Sequence, residues 1–315
     1  MNEKITEFVT SLNYEMLPDE VVKTLKYSFI DSIACAIYGS KMPWSKMLLG
    51  VVEETGHKGK CIFPTFPKSG LPSDKASLLL GSYCHAFEQD NLRFPGAGVH
   101  AGATIMSPAL AIAQERKLSG KELLVSAAAG LEVLSRLGKA TMHSLETRGF
   151  HAPGVIGPVG SAVACSKAMN ASPNQISNSI GISASMSGGL LAFSKSEGGG
   201  MIKRLHLGRA AEAGVTAAQL ACRGFEGPET AIVGQFGLLD AFCPQYDLSE
   251  LNRELGSRWE TLSTCFKTFP IHITAHGPLL AALGLRKKYD FKISDIDKIT
   301  IKGTKKMVSH HVIYE

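Results

Sequence analysis

Apolar side chains recur at helical spacing along most of this chain, and this periodicity limits the folds that it can adopt. Near the start, Ile5, Phe8, Val9 and Leu12 fall on one side of a helix. A second apolar helix follows Pro18, a residue that suits a helix start because it has no N–H to leave unpaired. Six further helical patterns, many of them rich in Ala, Gly and Ser, lie at 74–87, 104–116, 119–139, 157–169, 173–187 and 207–223. Small side chains allow close helix contacts, so the sequence predicts a compact α-helical body.

Patterns typical of β-strands are few and short. The segment 60–65 is β-like, and the clearest strand is DKITIKGT, 297–304, where isoleucines alternate with polar residues. A helical segment precedes this strand, so we expect a second, α/β unit to begin near residue 265. A lone strand cannot form a stable sheet, so either partners come from elsewhere or the chain is incomplete. The predicted fold is mainly α, with an all-helical domain at 1–264 and part of a smaller α/β domain at 265–315.

Composition excludes several classes of protein. With 315 residues, of which 44% are hydrophobic and 19% charged, the chain can bury a large core, so we do not expect disorder. Its 33 basic and 28 acidic residues include no long run of Lys or Arg, so we expect no nucleic-acid partner. No segment reaches the ~20 apolar residues that span a bilayer. The N-terminus also lacks the features of a signal peptide, so we expect a cytoplasmic protein without membrane contact.

Seven cysteines are widely spaced along the chain and include no CxxC pair. This spacing indicates neither a disulfide framework nor a zinc site. We therefore expect reduced thiols, most of them in the core, and no bound metal.

One loop concentrates side chains that carry charge or exchange protons. The stretch HAFEQDNLRFPGAGVHAGA contains His85, Glu88, Asp90, Arg93 and His100 around a turn with Pro and Gly. Considered alone, it is typical of a solvated loop between two helices, because Pro and Gly form turns and charged groups bind water. The other polar stretches of the chain decide whether that interpretation holds.

Two further stretches combine histidines or cations with helix starts. In ETRGFHAPGVIGPVGSA, His151 precedes an apolar helix, a position that is also typical of a helix-capping or core-edge histidine. In SEGGGMIKRLHLGRAAEAG, the glycine run 198–200 leads into a helix that contains Lys203, His206 and Arg209. A glycine run before a helix exposes backbone N–H groups that suit an anion. The GxxxxGK[ST] order is absent, so nucleotide binding is poorly supported, and a flexible loop with solvated cations is the structural alternative.

A fourth stretch, CFKTFPIHITAHGP, contains Lys267, His272 and His276. Two histidines four residues apart hold a metal on some helices, but no HExxH is present and Pro270 and Pro278 interrupt this helix. A metal is therefore the weaker interpretation. Four such stretches in one chain, each joining cations or histidines with Gly or Pro, favour a shared function over four unrelated loops.

Five motifs resemble those of the MmgE/PrpD family, which includes 2-methylcitrate dehydratase, cis-aconitate decarboxylase and iminodisuccinate epimerase. They are LPDEVVKTLKYSFIDSIACAIYGS, HAFEQDN with GVHAGA, GFHAPGVIGPVGSA, KRLHLGRAAEAG and CFKTFPIH, in the family's order and roughly its spacing. The resemblance covers nearly the whole chain. It implies a large helical domain with a smaller α/β lid, a homodimer, a site between the two domains and no cofactor.

The resemblance also implies which residues form the site. Catalytic roles fall on Glu88, His100, His151, Lys203, Lys267 and His272, and substrate-binding roles on Asp90, Arg93, His206 and Arg209. In this interpretation the acidic loop is one wall of an active site. His100 transfers a proton there, and Glu88 or Asp90 orients or charges it.

The implied substrate is a small anionic carboxylate. Dehydration of a citrate-like acid such as 2-methylcitrate needs a base for a C–H proton and an acid for the departing hydroxyl. Histidines exchange protons near neutral pH, and lysines hold carboxylates and offset developing charge. We therefore expect a cofactor-independent lyase of the dehydratase type. Decarboxylation and epimerisation pass through a similar carbanion, so either reaction is the alternative.

Two departures from the family pattern bear on this expectation. The segment LRFPGAG, 92–98, is a small insertion that places Arg93 where decarboxylase-like members have no equivalent cation. The chain also ends at Glu315, where family members continue through the lid, and Val308 aligns with a tyrosine of the decarboxylases. The competing hypothesis is therefore a truncated relative without catalysis, either a fragment or a carboxylate-binding protein.

Overall fold

Almost all regular elements of the protein are helices. The structure is a computed structural model that describes residues 2–56, 58–95 and 98–303. Within these residues the α-helices are α1 Asn2–Ser11, α2 Asp19–Gly39, α3 Pro43–Glu54, α4 Ser73–Cys84, α5 Ser107–Arg116, α6 Gly120–Ala140, α7 Ser144–Thr147, α8 Ala152–Ala168, α9 Pro173–Ser185, α10 Ile202–Ala221, α11 Leu238–Phe242, α12 Ser249–Asn252 and α13 His276–Tyr289. A π-helical turn, Gly102–Met106, runs directly into α5. The prediction of a mainly α fold is confirmed.

Local sequence signals explain where several helices begin. Ser119 and Ser172 each form a capping box at the start of α6 and α9, in which the serine hydroxyl and a later side chain exchange hydrogen bonds with backbone N–H groups. Two helices begin earlier than their apolar patterns predicted. Helix α8 starts at Ala152 rather than 157, and helix α10 starts at Ile202 rather than 207. The apolar pattern missed these first turns because Pro and Gly occupy the first turn of α8 and charged residues occupy that of α10. Both extensions bring polar site residues onto helix starts.

Helix α8 is almost entirely buried and packs between α6 and α10, and α10 also packs against α4. Glycines permit these close approaches. A Cβ on Gly208 of α10 would lie 2.3 Å from the carbonyl oxygen of Leu78 in α4. A Cβ on Gly130 of α6 would lie 2.6 Å from the Cβ of Ala164 in α8. The close helix contacts predicted from the small residues are therefore confirmed.

The described residues form one small sheet. Strand β1, Leu92–Arg93, pairs antiparallel with β2, Thr264–Cys265, so that Leu92 faces Cys265. This pairing joins the acidic loop to the segment that carries Lys267. It also crosses the predicted boundary at 264/265, and the division into two domains stays a prediction.

The strand predicted at 297–304 is wrong over 297–303, where the structure has no strand, and residue 304 lies outside the described residues. An alternating pattern becomes a strand only beside a pairing partner, and no strand among the described residues pairs with this segment. The β-like segment 60–65 contributes only a single bridge, between Cys61 and Leu71. Val308 also lies outside the described residues.

A buried ion pair on α6 anchors the segment that leads into β2. Glu132 and Arg136 pair at 2.5 Å, and the side chains of both are 1% exposed. The Glu132 carboxylate accepts hydrogen bonds from the backbone N–H groups of Glu260 and Thr261 at 3.0 and 2.8 Å. Arg136 donates to the carbonyl oxygen of Arg258 at 2.7 Å. Because each buried charge has polar partners, this arrangement fixes the 258–261 segment against α6.

The positions of the cysteines agree with the prediction that most lie in the core. Cys35, Cys61, Cys84, Cys165 and Cys243 are buried. Burial raises the pKa of the Cys61 thiol to about 12, so this side chain is a protonated core residue near neutral pH.

In the part of the chain that the structure describes, no helix has the length together with the apolar character that crossing a bilayer requires.

Candidate active site

A cavity of about 970 Å³ lies where α8, α10, β1 and the segment after β2 meet. The predicted site residues that line it are Glu88, Arg93, His100, His151, Lys203 and His272. Asp90, His206 and Lys267 lie behind this wall and contact residues that form it. The structure therefore brings nine of the ten predicted residues to one place, while their roles stay predictions.

Asp90 connects two histidines at the base of the cavity. It is fully buried, and its two carboxylate oxygens lie 2.8 Å from Nδ1 of His85 and 2.9 Å from Nδ1 of His100. The two imidazole rings meet edge to face, with their centroids 4.6 Å apart. An ionised carboxylate can only accept, so both histidines donate from Nδ1. The Nε2 atom of His100 is then free to exchange a proton at the cavity.

The charges around Asp90 distinguish the two histidines. Burial would raise the pKa of Asp90, but His85 and His100 hold it well below its usual range. Burial lowers the pKa of His100, and Asp90 offsets this only in part. Burial acts on His85 in the same direction, but Asp90 and Glu88 together raise its pKa above the usual value. Near neutral pH, His100 is thus the less readily charged ring and His85 the more readily charged one.

Glu88 is held among cations in an unfavourable backbone conformation. Its φ of 64° is in the left-handed region, which is strained for a residue with a side chain. Its carboxylate pairs with Lys203, and Lys267 Nζ lies 3.5 Å from Oε2 while donating to the Glu88 carbonyl at 2.6 Å. Nε2 of His85 lies 3.1 Å from Oε1. Burial would raise the pKa of Glu88, but His85 and the two lysines lower it well below its usual value.

Helix starts supply further positive potential to the cavity wall. Ala152 and Pro153 at the start of α8 line the cavity, as do Gly200, Lys203 and Arg204 at the start of α10. Exposed N–H groups give a helix start a partial positive charge, which favours anions. The glycine run predicted to precede an anion-binding helix therefore lies at the cavity.

His151 and His206 form a second histidine pair at the cavity. Their Nδ1 atoms are 3.0 Å apart, and the ring of Phe193 packs edge-on against His151 with centroids 5.2 Å apart. Burial lowers the pKa of His151 well below its usual value, and Lys203 and His85 lower it further. Burial also lowers the pKa of His206. Of the two rings, the half-buried His206 is therefore the more readily charged.

Arg93 was predicted to bind substrate, and its contacts are largely with the protein. Its Nε donates to Glu260 at 2.9 Å and one terminal nitrogen donates to the Pro95 carbonyl at 2.8 Å. Burial would raise the pKa of Glu260, but Arg93 and Lys139 lower it to about 2. Arg93 thus lines the cavity while fixing the loop that contains it.

Arg209 is the predicted residue that the structure does not bring to the cavity. Its side chain is 60% exposed and pairs with Glu212, which also pairs with Lys75 at 2.7 Å. Arg209 lies about one helical turn beyond His206 on α10, and its side chain points to Glu212 and solvent, away from the residues that line the cavity. The substrate-binding role of Arg209 therefore stays a prediction, and this arrangement does not support it.

His272 lies on the cavity wall in a short turn. Its Nδ1 is 2.9 Å from Oγ1 of Thr274, and both residues line the cavity. The sequence hypothesis of a metal held by His272 and His276 required both on one helix. His272 instead precedes α13, so helical spacing does not apply to the pair.

Sequence reasoning assigned no role to two residues of the site. His85 was grouped with the acidic loop but not among the site residues, although it contacts both Asp90 and Glu88. Arg204 lines the cavity, and it donates to the carbonyl oxygens of Ala86 and Gly200. The available signal for Arg204 was its position next to Lys203 at a helix start.

Three donor groups could also hold a metal ion. Atoms of His85, Asp90 and His100 lie within 4.8 Å of one another, and His and Asp are common ligands of divalent metals. Each histidine already donates to Asp90, and this hydrogen bonding accounts for the arrangement without an ion. Lys203 and Lys267 beside Glu88 add positive charge, which opposes a cation.

Known proteins with similar sequences were compared with the chain. A family model described as the MmgE/PrpD N-terminal domain matches residues 3–251. The cis-aconitate decarboxylase-like protein oryM of Aspergillus oryzae is 29% identical over 98% of this chain and 67% of its own length. The cis-aconitate decarboxylases of Aspergillus terreus and Homo sapiens are 28% and 27% identical, each over 91% of this chain. The chain spans 60% of the length of each of these two enzymes.

Proposed function

Because this chain belongs to the MmgE/PrpD family, we propose that it is a lyase that decarboxylates an unsaturated tricarboxylate such as cis-aconitate. The names of the relatives support this choice over the dehydration expected from the sequence. The observation that carries the proposal is the position of His100 and His151 on one cavity together with Lys203 and Arg204. A site of this composition can bind the several carboxylates of one substrate and transfer a proton between a histidine and that substrate.

Substrate binding relies on the positive groups of the cavity wall. Lys203 and Arg204 reach the cavity from the first turn of α10, and the start of α8 lies nearby. The Nε and one terminal nitrogen of Arg204 donate to carbonyl oxygens, and its guanidinium lies over the ring of Trp44. A guanidinium has five N–H donors, so Arg204 can also donate to a substrate carboxylate. Lys267 is buried and holds Glu88 in place, so we assign it to the support of Lys203 rather than to direct contact.

The reaction needs one acid. The bond between a CH2 carbon and its carboxylate breaks, carbon dioxide leaves, and the released electron pair forms a new double bond. The electrons of the original double bond move to the carbon beside another carboxylate, which takes a proton from an imidazole N–H. A trianion and one proton thus yield a dianion and carbon dioxide. We assign the proton to Nε2 of His151, since Asp90 favours His100 as the base.

Dehydration of a citrate-like acid is the second candidate. It needs a base and an acid together, and the two histidine pairs provide one of each. Nε2 of His100 would remove the C–H proton, and His151 would protonate the departing hydroxyl. Dehydration releases water, keeps every carbon atom and consumes no net proton. Decarboxylation releases one carbon as carbon dioxide and consumes one proton, so the two reactions can be told apart by their products.

Product analysis tests the proposal. The purified protein is incubated separately with cis-aconitate, citrate and 2-methylcitrate, and products are identified by proton NMR and by trapping of carbon dioxide. We expect carbon dioxide and a five-carbon dicarboxylate from cis-aconitate. Formation of an unsaturated tricarboxylate from citrate or 2-methylcitrate, without carbon dioxide, would instead support the dehydratase.

Three variants identify the site responsible. His100→Gln and His151→Gln should each lower kcat by about 10²- to 10⁴-fold, the usual share of a general acid or base. His276→Gln is the matched control, because His276 lies on α13 and does not line the cavity. Absence of any turnover by the unmodified protein, or equal turnover in all three variants, would contradict the proposal.

A further inference from the structure

The contact between His151 and His206 has a chemical consequence beyond the proposed reaction. His151 occupies the N-cap position of α8, and His206 lies in the first two turns of α10. His151 is buried and lines the cavity, whereas His206 is half-buried and does not line it. The pair therefore connects the cavity wall to a ring that water can reach.

The surrounding residues hold the two rings in contact. The backbone N–H of His151 donates to the Gly189 carbonyl at 3.0 Å. A Cβ on Gly189 would lie 3.2 Å from Nδ1 of His206, so this glycine leaves room for the second ring. Phe193 packs against both imidazoles, with centroids 5.2 Å from His151 and 6.0 Å from His206. Neither ring has space to turn away without disturbing these contacts.

A hydrogen bond between two Nδ1 atoms 3.0 Å apart needs one proton, which either ring can provide. If His206 donates, a neutral His151 carries its own proton on Nε2 and can act as an acid. If His206 accepts, Nε2 of a neutral His151 has no proton and can act only as a base. The protonation state of His206 therefore determines the role of His151.

Building on the proposed lyase function, we infer that His206 is a positioning residue that keeps His151 in its acid form and does not contact the substrate. As Nε2 of His151 gives its proton to the substrate carbon, the proton between the Nδ1 atoms moves from His206 to His151. A singly protonated pair becomes neutral, and one proton from water restores it. The positive charge of the loaded pair resides on the half-exposed ring rather than on the buried one.

Two substitutions separate positioning from proton donation. His206→Asn places an amide where it can still hydrogen-bond to Nδ1 of His151, but an amide does not give up a proton. His206→Phe keeps a ring and removes the hydrogen bond. We expect kcat on cis-aconitate to fall about 10-fold in the first variant, which keeps the hydrogen bond, and about 100-fold in the second, the lower end of the usual contribution of acid catalysis. KM should change by less than about threefold in both variants, because His206 does not line the cavity.

The pH dependence of kcat provides a readout that a packing role would not move. Lys203, His85 and His100 disfavour charge on His151 in every variant, so a change in its titration reports on His206. An acid loses activity as the pH rises through its pKa. Without His206 to share the charge, we expect the alkaline limb of the profile to move to lower pH. Unchanged kcat and an unmoved limb in both variants would overturn the inference.

Two further outcomes are also decisive. Equal loss of tricarboxylate binding and of kcat, measured by calorimetry and kinetics, would show that His206 contacts the substrate and would overturn the inference. Nitrogen-15 NMR of histidine-labelled protein tests the hydrogen bond without any turnover. We expect the His151 Nδ1 signal to shift in His206→Phe, and an unchanged signal would overturn the inference even if the unmodified protein released no carbon dioxide.

Discussion

Asp90 shows how a single buried residue determines the chemistry of two others. Its carboxylate accepts from Nδ1 of both His85 and His100, so the tautomer of each ring is fixed. Asp90 raises the pKa of both rings against the effect of burial, and Glu88 then separates their pKa values, because its charge acts on His85 while His100 lacks this partner. Asp90 therefore orients both rings, and its predicted contact with substrate stays a prediction.

Protonation of His151 should make stability depend on pH below neutrality. Its pKa is lowered in the folded state by burial and nearby cations, so the unfolded chain binds a proton first as the pH falls through about 6.5. We expect the free energy of unfolding to decrease between about pH 6.5 and 5 by up to about 1.4 kcal/mol per pH unit from this residue. His151→Gln should reduce this slope, as measured by urea denaturation.

Other histidines define the control for this experiment. His100 and His206, whose pKa values are also lowered, contribute slopes of the same sign and remain in the variant. His85 has a raised pKa, so its contribution is complete below about 6.5 and is lost as the pH rises through its folded value. Gly50→Ala on α3 changes no ionisable group, so it should retain the slope of the unmodified protein. A slope in His151→Gln equal to that of this control would contradict the assignment.

At the scale of elements, α10 connects the core to the site. Its buried face contacts α4 and α8, and its first turn carries Lys203 and Arg204. Gly208 lies where α10 meets α4, and an added Cβ would be within 2.3 Å of a backbone carbonyl. The position of the two cations therefore depends on how closely these helices pack.

Gly208→Ala should separate α10 from α4. Overpacking a tight contact costs about 1–3 kcal/mol, which we expect as a lower free energy of unfolding in urea. Gly50→Ala on α3 is the matched control, because an added Cβ there meets no atom within 4 Å. Helix propensity predicts that Gly50→Ala is neutral or stabilising by up to about 1 kcal/mol. Equal stability of the two variants would refute the tight contact.

At the scale of the whole molecule, binding of a tricarboxylate should stabilise the fold. A ligand at about 100 times its Kd adds about 2.7 kcal/mol, which raises the Tm of a protein of this size by roughly 4 °C. We expect this shift with cis-aconitate. Lys203→Met should remove most of it, while Glu88 keeps Lys267 and His85 as neighbours and the chain still folds.

Lys46→Met provides the control for charge. Lys46 lies on α3 and is exposed, so its removal changes net charge without altering the cavity. This variant should show the full ligand-induced shift, as recorded by differential scanning fluorimetry or calorimetry. A shift that survives Lys203→Met, or that Lys46→Met reduces equally, would place tricarboxylate binding elsewhere.

Several features followed from the sequence by itself. Helical periodicity, Pro18 at a helix start, and the Ala, Gly and Ser content of the helices predicted a mainly α body with close contacts. These are local properties, since a helix hydrogen bond joins residues four apart and a capping box joins residues three apart. The motifs likewise placed the family and brought attention to the stretches that meet at the cavity.

Only the tertiary structure decided which partner each polar side chain has. Lys267 reaches Glu88 across 179 residues of chain, and His151 reaches His206 across 55. Arg93 lines the cavity while it pairs with Glu260, and Arg209 pairs with Glu212 away from the cavity. The predicted strand at 297–303 also depended on a pairing partner. Periodicity acts within a few residues, whereas charge pairing, proton sharing and strand pairing depend on which distant segments pack together.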